Sequence, residues 1–146
     1  MSEETQGTIR VIITEPQPGA ADALQRGLAS GAGLSGPGAQ TVEIVGYARD
    51  GLETAQMARQ LAPDVILVHE ELPGMNGYEA CQMMALAAPN VSPVLLVEPD
   101  RLGNDEVTTR ALRAGARAVL STQCAPEALL ETLTGLAELS NLRREP

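Results

Sequence analysis

The sequence predicts an α/β fold: one doubly wound domain with a parallel five-stranded sheet and helices on both faces. Three observations predict it. Short apolar runs rich in Val, Ile and Leu alternate along the chain with stretches of helical spacing. The runs are continuous rather than polar on alternate positions, as expected of strands buried on both faces. Pro, Gly, Asn and Asp punctuate the boundaries between runs and helical stretches. Strands alternating with helices make parallel βαβ units, and right-handed crossovers narrow the topology to a doubly wound sheet. At 146 residues the chain is long enough for one domain with a real core, and no internal repeat is visible.

Each element has its own signal. Residues 1–7 read as a flexible, acidic tail without the apolar stretch of a signal peptide. Thr8 to Thr14 (TIRVIIT) is a β-branched run and the first strand, broken by Glu15-Pro16-Gln17-Pro18-Gly19. Ala20 to Ala29 has helical spacing, with Ala21, Leu24 and Leu28 on one face. Residues 30–40 (SGAGLSGPGAQ) are expected to be a flexible insertion; the stretch has no lysine and follows a helix, so it is not a phosphate-cradling loop. Thr41 to Ala48 is the second strand, and Asp50-Gly51 opens a helix to about Gln60. Pro63-Asp64 precedes the third strand, Val65 to Val68 or His69, and Asn76-Gly77 opens the third helix, to about Ala88. Pro93 to Val97 is the fourth strand, followed by a helix from Gly103 or Asn104 to Ala114 that Gly115 closes. Ala118 to Ser121 is a short fifth strand. Pro126 suits a first helical position, and the last helix carries Leu129, Leu130, Leu133, Leu136 and Leu139 on its face. The domain is thus expected over 8–137, with 138–146 as the helix end and a polar, linker-like tail that hints at a longer protein.

Composition excludes several functions. A net charge of −9 argues against a nucleic-acid contact surface, which needs clustered positive charge. All ten basic residues are arginine, so no chemistry that needs a lysine amine is available. No apolar run is long enough to span a bilayer, and the chain reads as cytoplasmic. Tyr47 and Tyr78 are the only aromatics, leaving the core to aliphatic residues and Met. Cys81 and Cys124 form no CxxC and read as a small apolar residue and a loop thiol.

In a doubly wound sheet, ligands bind beyond the carboxyl ends of the strands. The residues there are Glu15, His69, Glu98 and Thr122, and a flavodoxin-like order 2-1-3-4-5 would converge Glu15, His69 and Glu98 on one pocket. His69 is the only histidine of the chain; Glu70, one position on, should point elsewhere.

These stretches resemble the receiver domain of bacterial two-component response regulators, the CheY-like fold. The resemblance is carried by IRVIITEPQP (9–18), VEIVGYARDGLETAQMARQLAPDVILVHEELPGMNGYEA (42–80), PVLLVEP (93–99) and ALRAGARAVLSTQCAPEALLETL (111–133). It implies a phosphoacceptor aspartate after the third strand, acids for Mg²⁺ after the first, a hydroxyl after the fourth and a lysine after the fifth. Those parts make sense for phosphoryl transfer, which needs a nucleophile, a metal and donors for the phosphoryl oxygens. Here the positions read His69, Glu15-Pro16, Glu98 and Thr122, so the resemblance implies a degenerate receiver with no cofactor and no catalysis. His69 then plugs the pocket and freezes the switch, hydrogen-bonded to Glu15 and Glu98. Three other uses of His69 stay open: pH sensing, with carboxylates favouring the charged imidazole; a metal site with Glu15 and Glu98; and a phosphohistidine. Glu70 as an alternative acceptor is disfavoured by its direction.

The family's usual switch and dimer face, helix four with strand five and helix five, carries Glu106, Arg110, Arg113, Arg117 and Glu127 here, charges suited to salt bridges across a two-fold axis. The function implied is a phosphorylation-independent, protein-binding module acting on an attached output domain or a separate partner. Degenerate receivers of this look stand at the N-terminus of CpaE/TadZ-like ATPases that localise pilus-assembly machinery, the parent that family analogy prefers.

Overall fold

Five β-branched, apolar segments pair side by side: β1 (Thr8–Thr14), β2 (Thr41–Ala48), β3 (Val65–His69), β4 (Ser92–Val97) and β5 (Ala118–Ser121). In the computed structural model, which describes residues 8–17, 19, 22, 26 and 41–144, all four pairings are parallel and the order is β2-β1-β3-β4-β5. The expected order is therefore the observed one. The tail 1–7, the insertion 30–40 and residues 145–146 lie outside the described residues, as does most of the helix expected over 20–29, where Asp22 and Arg26 are helical. Pro126 and residues 138–144 of the last helix are described by backbone only, so the side chain of Leu139 also falls outside.

The central strands β1, β3 and β4 are buried on both faces because alternate side chains feed two layers, whereas the edge strands β2 and β5 are only partly covered, so the expectation of burial on both faces fails at the two edges. Ile9, Val11, Ile13, Val65, Leu67, Val94 and Leu96 point to one face, against Leu129, Leu133 and Leu136 of the Pro126–Arg144 helix. Ile12, Ile66 and Val68 point to the other, against the Gly51–Leu61 and Gly77–Ala87 helices. Leu95 and Val97 continue that second layer under the Gly77–Ala87 and Asp105–Arg113 helices. Each fully buried aliphatic side chain is worth about 1.5–3 kcal/mol, so these layers supply the main driving force for the fold.

Caps set where the helices begin. Asp50 accepts the Glu53 N–H at 2.8 Å. Asn76 and Glu79 form a reciprocal capping box, each side chain accepting the other's N–H at 2.9 Å. Asn104 accepts the N–H groups of Glu106 and Val107, so this helix starts at Asp105 and not before. Between β4 and that cap lies a segment to which the sequence analysis assigns no element. The chain instead makes a single 3-10 turn, Pro99–Arg101, then bends through Gly103 at φ 86°. Gly115, at φ 104°, lets the chain turn into β5.

β1 lies between β2 and β3, so the chain reverses its direction of travel across the sheet there. The crevice beyond the carboxyl ends of β1, β3 and β4 is the place such a sheet offers for chemistry.

Candidate functional site

The sheet carries Glu15, His69, Glu98 and Thr122 to this one edge, each at or just past the end of its strand. Their side chains do not all meet. Glu15 is buried, yet its carboxylate turns back to accept the Gln17 N–H at 3.2 Å, and its own N–H donates to the Ala48 carbonyl. Pro16 follows it, half-buried. Thr122 is half-buried and tied by its N–H to the Val97 carbonyl at 2.8 Å. His69 and Glu98 do meet: Nε2 lies 3.3 Å from Glu98 Oε2. The expected bridging of both acids by the imidazole is thus half realised, with Glu98 as the partner and Glu15 occupied by its own loop.

The surroundings of His69 fix its tautomer. The Glu71 N–H points at Nδ1 from 3.0 Å, and a backbone amide can only donate, so Nδ1 is an acceptor there. The neutral ring then carries its proton on Nε2, directed at the Glu98 carboxylate. Both nitrogens are engaged, and neither offers a free lone pair to an electrophile. The imidazole is mostly covered, at 13% exposure, whereas the Glu98 side chain stands 55% exposed in front of it. Among the described residues no three His, Cys, Asp or Glu side chains come together to hold a metal ion, so Glu15, His69 and Glu98 make no such centre.

A second cluster, barely legible in the sequence, sits beside this one. Glu70 does point away from His69, as alternation requires, into the space under the Gly77–Ala87 helix and the Pro99–Arg101 turn. It is a buried carboxylate, 7% exposed. Arg101 grips it with both prongs of its guanidinium, Nε to Oε1 at 2.7 Å and Nη2 to Oε2 at 2.6 Å. The Tyr78 hydroxyl donates to Oε2 at 2.7 Å. Over the Tyr78 ring lies the Arg110 guanidinium, 4.1 Å from the centroid. Burial by itself pushes the Glu70 carboxyl upward, but the bonds from Arg101 and Tyr78 outweigh it and hold the group below the ordinary glutamate range. Burial and the neighbouring carboxylate push the Tyr78 phenol up. The available signal was a glutamate following an apolar strand with a tyrosine in the next helix; the arginine, 31 residues away, is found only in three dimensions.

The charged residues expected to share one face are divided. Glu106, Arg110 and Arg113 line a groove of about 680 Å³ between the Asp105–Arg113 and Gly77–Ala87 helices, together with Glu79 and Gln82. Arg117 leads into β5 with its N–H on the Pro93 carbonyl, and Glu127 is exposed on the first turn of the last helix; neither borders that groove.

The described residues include no helix long and apolar enough to cross a membrane. Residues 37–134 match the family model of the response regulator receiver domain. A protein-glutamate methylesterase/protein-glutamine glutaminase of Myxococcus xanthus is 34% identical over 112 residues, 70% of this chain and 31% of its own length. A transcriptional regulatory protein of Bacillus subtilis, YxjL, is 34% identical over 68% of this chain and 44% of its own. The chain spans only 20% to 45% of the length of such curated relatives. Among solved structures, the response regulator domain of Thermotoga maritima CheB superposes with a TM-score of 0.70 at 25% identity, over 95% of this chain and 99% of that one. A CheY-like receiver domain protein of Methanospirillum hungatei gives 0.73 at 19% identity, over 93% and 98%.

Proposed function

The chain belongs to the response regulator receiver domain family, the non-catalytic signal-receiving part of two-component systems, and from that premise we propose that it is an atypical receiver that signals by protein contact and not by accepting a phosphoryl group. The observation that carries this reading is the state of His69. The residue at the carboxyl end of β3 is an imidazole with Nδ1 bonded to the Glu71 amide and Nε2 turned to Glu98. Phosphoryl transfer also needs positive charge around the transferred group. This pocket presents the Glu98 carboxylate, and Thr122 where the family has its lysine. Such a pocket holds one arrangement without phosphate, and the domain works as a fixed surface for an attached output region or a separate protein. The helix Asp105–Arg113 is the part of that surface we assign to contact.

The test is the intact mass of the protein after incubation with Mg²⁺ and a small-molecule phosphodonor. The expected result is the unmodified mass. Addition of one phosphate that a His69→Ala variant abolishes would overturn the reading and make His69 a repurposed acceptor.

One observation favours a second reading, a pH response. Nδ1 lies 3.0 Å from the Glu71 amide nitrogen and 3.2 Å from the Glu71 carbonyl oxygen. A protonated ring would have to exchange the first partner for the second, shifting the β3 loop. An NMR titration in which His69 titrates while the Glu71 amide stays still would dismiss it.

A further inference from the structure

Residues 98–106 lead from the carboxyl end of β4 through the Pro99–Arg101 turn into the first turn of the Asp105–Arg113 helix. All nine are exposed, between Val97 at 0% and Val107 at 4%. This strap therefore has no side chain in the core to hold it down. Leu102, its one large apolar residue, joins none of the core layers. The backbone bonds over 99–104 close onto the strap itself. The Arg101 N–H donates to the Glu98 carbonyl, that of Leu102 to Pro99 and that of Asn104 to Arg101.

Among the described residues, two side-chain ties join the strap to the rest of the domain. At its start Glu98 faces His69 Nε2 at 3.3 Å. In its middle Arg101 grips Glu70 with bonds of 2.6 and 2.7 Å. The second tie is the strong one, being two-pronged, charge-assisted and made to a buried carboxylate. An exposed contact such as the first is worth little. The fixed half of the strong tie is Glu70. Its N–H donates to the Leu96 carbonyl, its carbonyl accepts the Gly77 N–H, and its carboxylate accepts the Tyr78 hydroxyl. The movable half is Arg101, whose side chain is 45% exposed. Arg101 also reaches the next helix, because its carbonyl accepts the N–H of Asn104, the capping residue. Asn104 in turn holds the Glu106 and Val107 N–H groups on its side chain and that of Thr108 on its carbonyl.

We infer that Glu70 is a latch: through Arg101 it holds the strap down, and with it the capped first turn of the Asp105–Arg113 helix. Latched, the helix starts at Asp105 and presents Asp105 and Glu106 in fixed positions. Unlatched, residues 98–106 leave the edge together, since none of them is anchored by burial. Ordered helix then begins near Val107, the first side chain in the core. The latch takes its role from the reading of this helix as a contact surface, and it gives that contact a control. The side chain that exerts it is Glu70, which points away from the strand-end pocket, and not His69.

Amide hydrogen exchange of the full chain, without phosphodonor, tests it. Glu70→Gln keeps the shape of the side chain and removes its charge. The amides of Asn104, Glu106, Val107 and Thr108 should then exchange about tenfold faster or more, the weight of a hydrogen bond to a charged group. The amides of Leu67 and Leu95 in the sheet should change only by the factor that the urea midpoint predicts. Glu98→Gln, which cuts the weaker tie, should leave the strap within about fivefold of wild type. Arg101→Lys keeps the charge and loses the fork, so its rates should fall in between, and it is the variant to read if Glu70→Gln does not fold. Equal acceleration of strap and sheet amides would make the cluster plain stabilisation and overturn the latch. So would a strap in Glu70→Gln as slow as in wild type, or one opened by Glu98→Gln instead. Intact mass of the same samples after Mg²⁺ and a small-molecule phosphodonor keeps the two readings apart. Phosphate uptake by wild type sinks the phosphorylation-independent reading, whereas the exchange rates alone decide the latch.

Discussion

Tyr78 shows how much can hang on one hydroxyl. Its O–H donates to a buried carboxylate, a class of hydrogen bond worth about 1.5–3 kcal/mol. Tyr78→Phe keeps the ring under Arg110 and leaves Glu70 to Arg101 alone. A loss near the lower end of that range is expected, read as a lower urea midpoint at unchanged slope. His69 offers a second check. Nitrogen NMR of the neutral protein should find the proton on Nε2, because the Glu71 amide claims Nδ1; a proton on Nδ1 would contradict the geometry. Gly77 is a third. A Cβ there would overlap the His69 carbonyl oxygen and lie 2.8 Å from Leu95 Cδ1. Backbone cannot step aside as a side chain does, so Gly77→Ala should cost about 1–3 kcal/mol in the same denaturation assay, despite alanine's better helix propensity.

At the scale of elements, the Glu70 cluster joins β3, the Gly77–Ala87 helix and the Pro99–Arg101 turn. Its carboxyl is held below the ordinary value of 4.5 in the folded protein. A group with a depressed folded pKa adds stability that is complete above its unfolded value and is lost as pH falls toward the folded one. Wild type should therefore weaken more steeply than Glu70→Gln, which has no proton to take up, as pH falls below the ordinary value of 4.5. Parallel acid profiles for the two proteins would show that the cluster carries no such linkage. On the opposite face, Leu133 is fully buried against β1, β3 and β4. Leu133→Ala leaves a cavity between helix and sheet, and a loss of about 2–5 kcal/mol is expected in thermal or denaturant unfolding.

The whole molecule can be followed through its two thiols. Cys81 is fully buried beneath the Asp105–Arg113 helix, and burial pushes its thiol up to about 12. Cys124 is only half-buried. A thiol reagent should label Cys124 in the native protein and reach Cys81 only when the domain opens, so the second rate reports global unfolding. Labelling of Cys81 as fast as Cys124 would place a local opening on the groove side of the sheet.

The sequence by itself determined the architecture. Short Val- and Ile-rich runs bounded by turn residues mark the strands, and capping residues such as Asp50 and Asn76 fix helix starts through bonds made within three residues. Both signals are local, which is why they are legible along the chain. It also brought His69, Glu98 and Thr122 to one edge, since all strands of a parallel sheet end at the same edge. Direction within that edge is another matter. Whether Glu15 meets His69, what clamps Glu70, and which flank of a helix Glu106 and Arg113 line depend on side-chain contacts between segments tens of residues apart. Those choices are made by packing and by the need to pair a buried charge, and only the tertiary structure decided them.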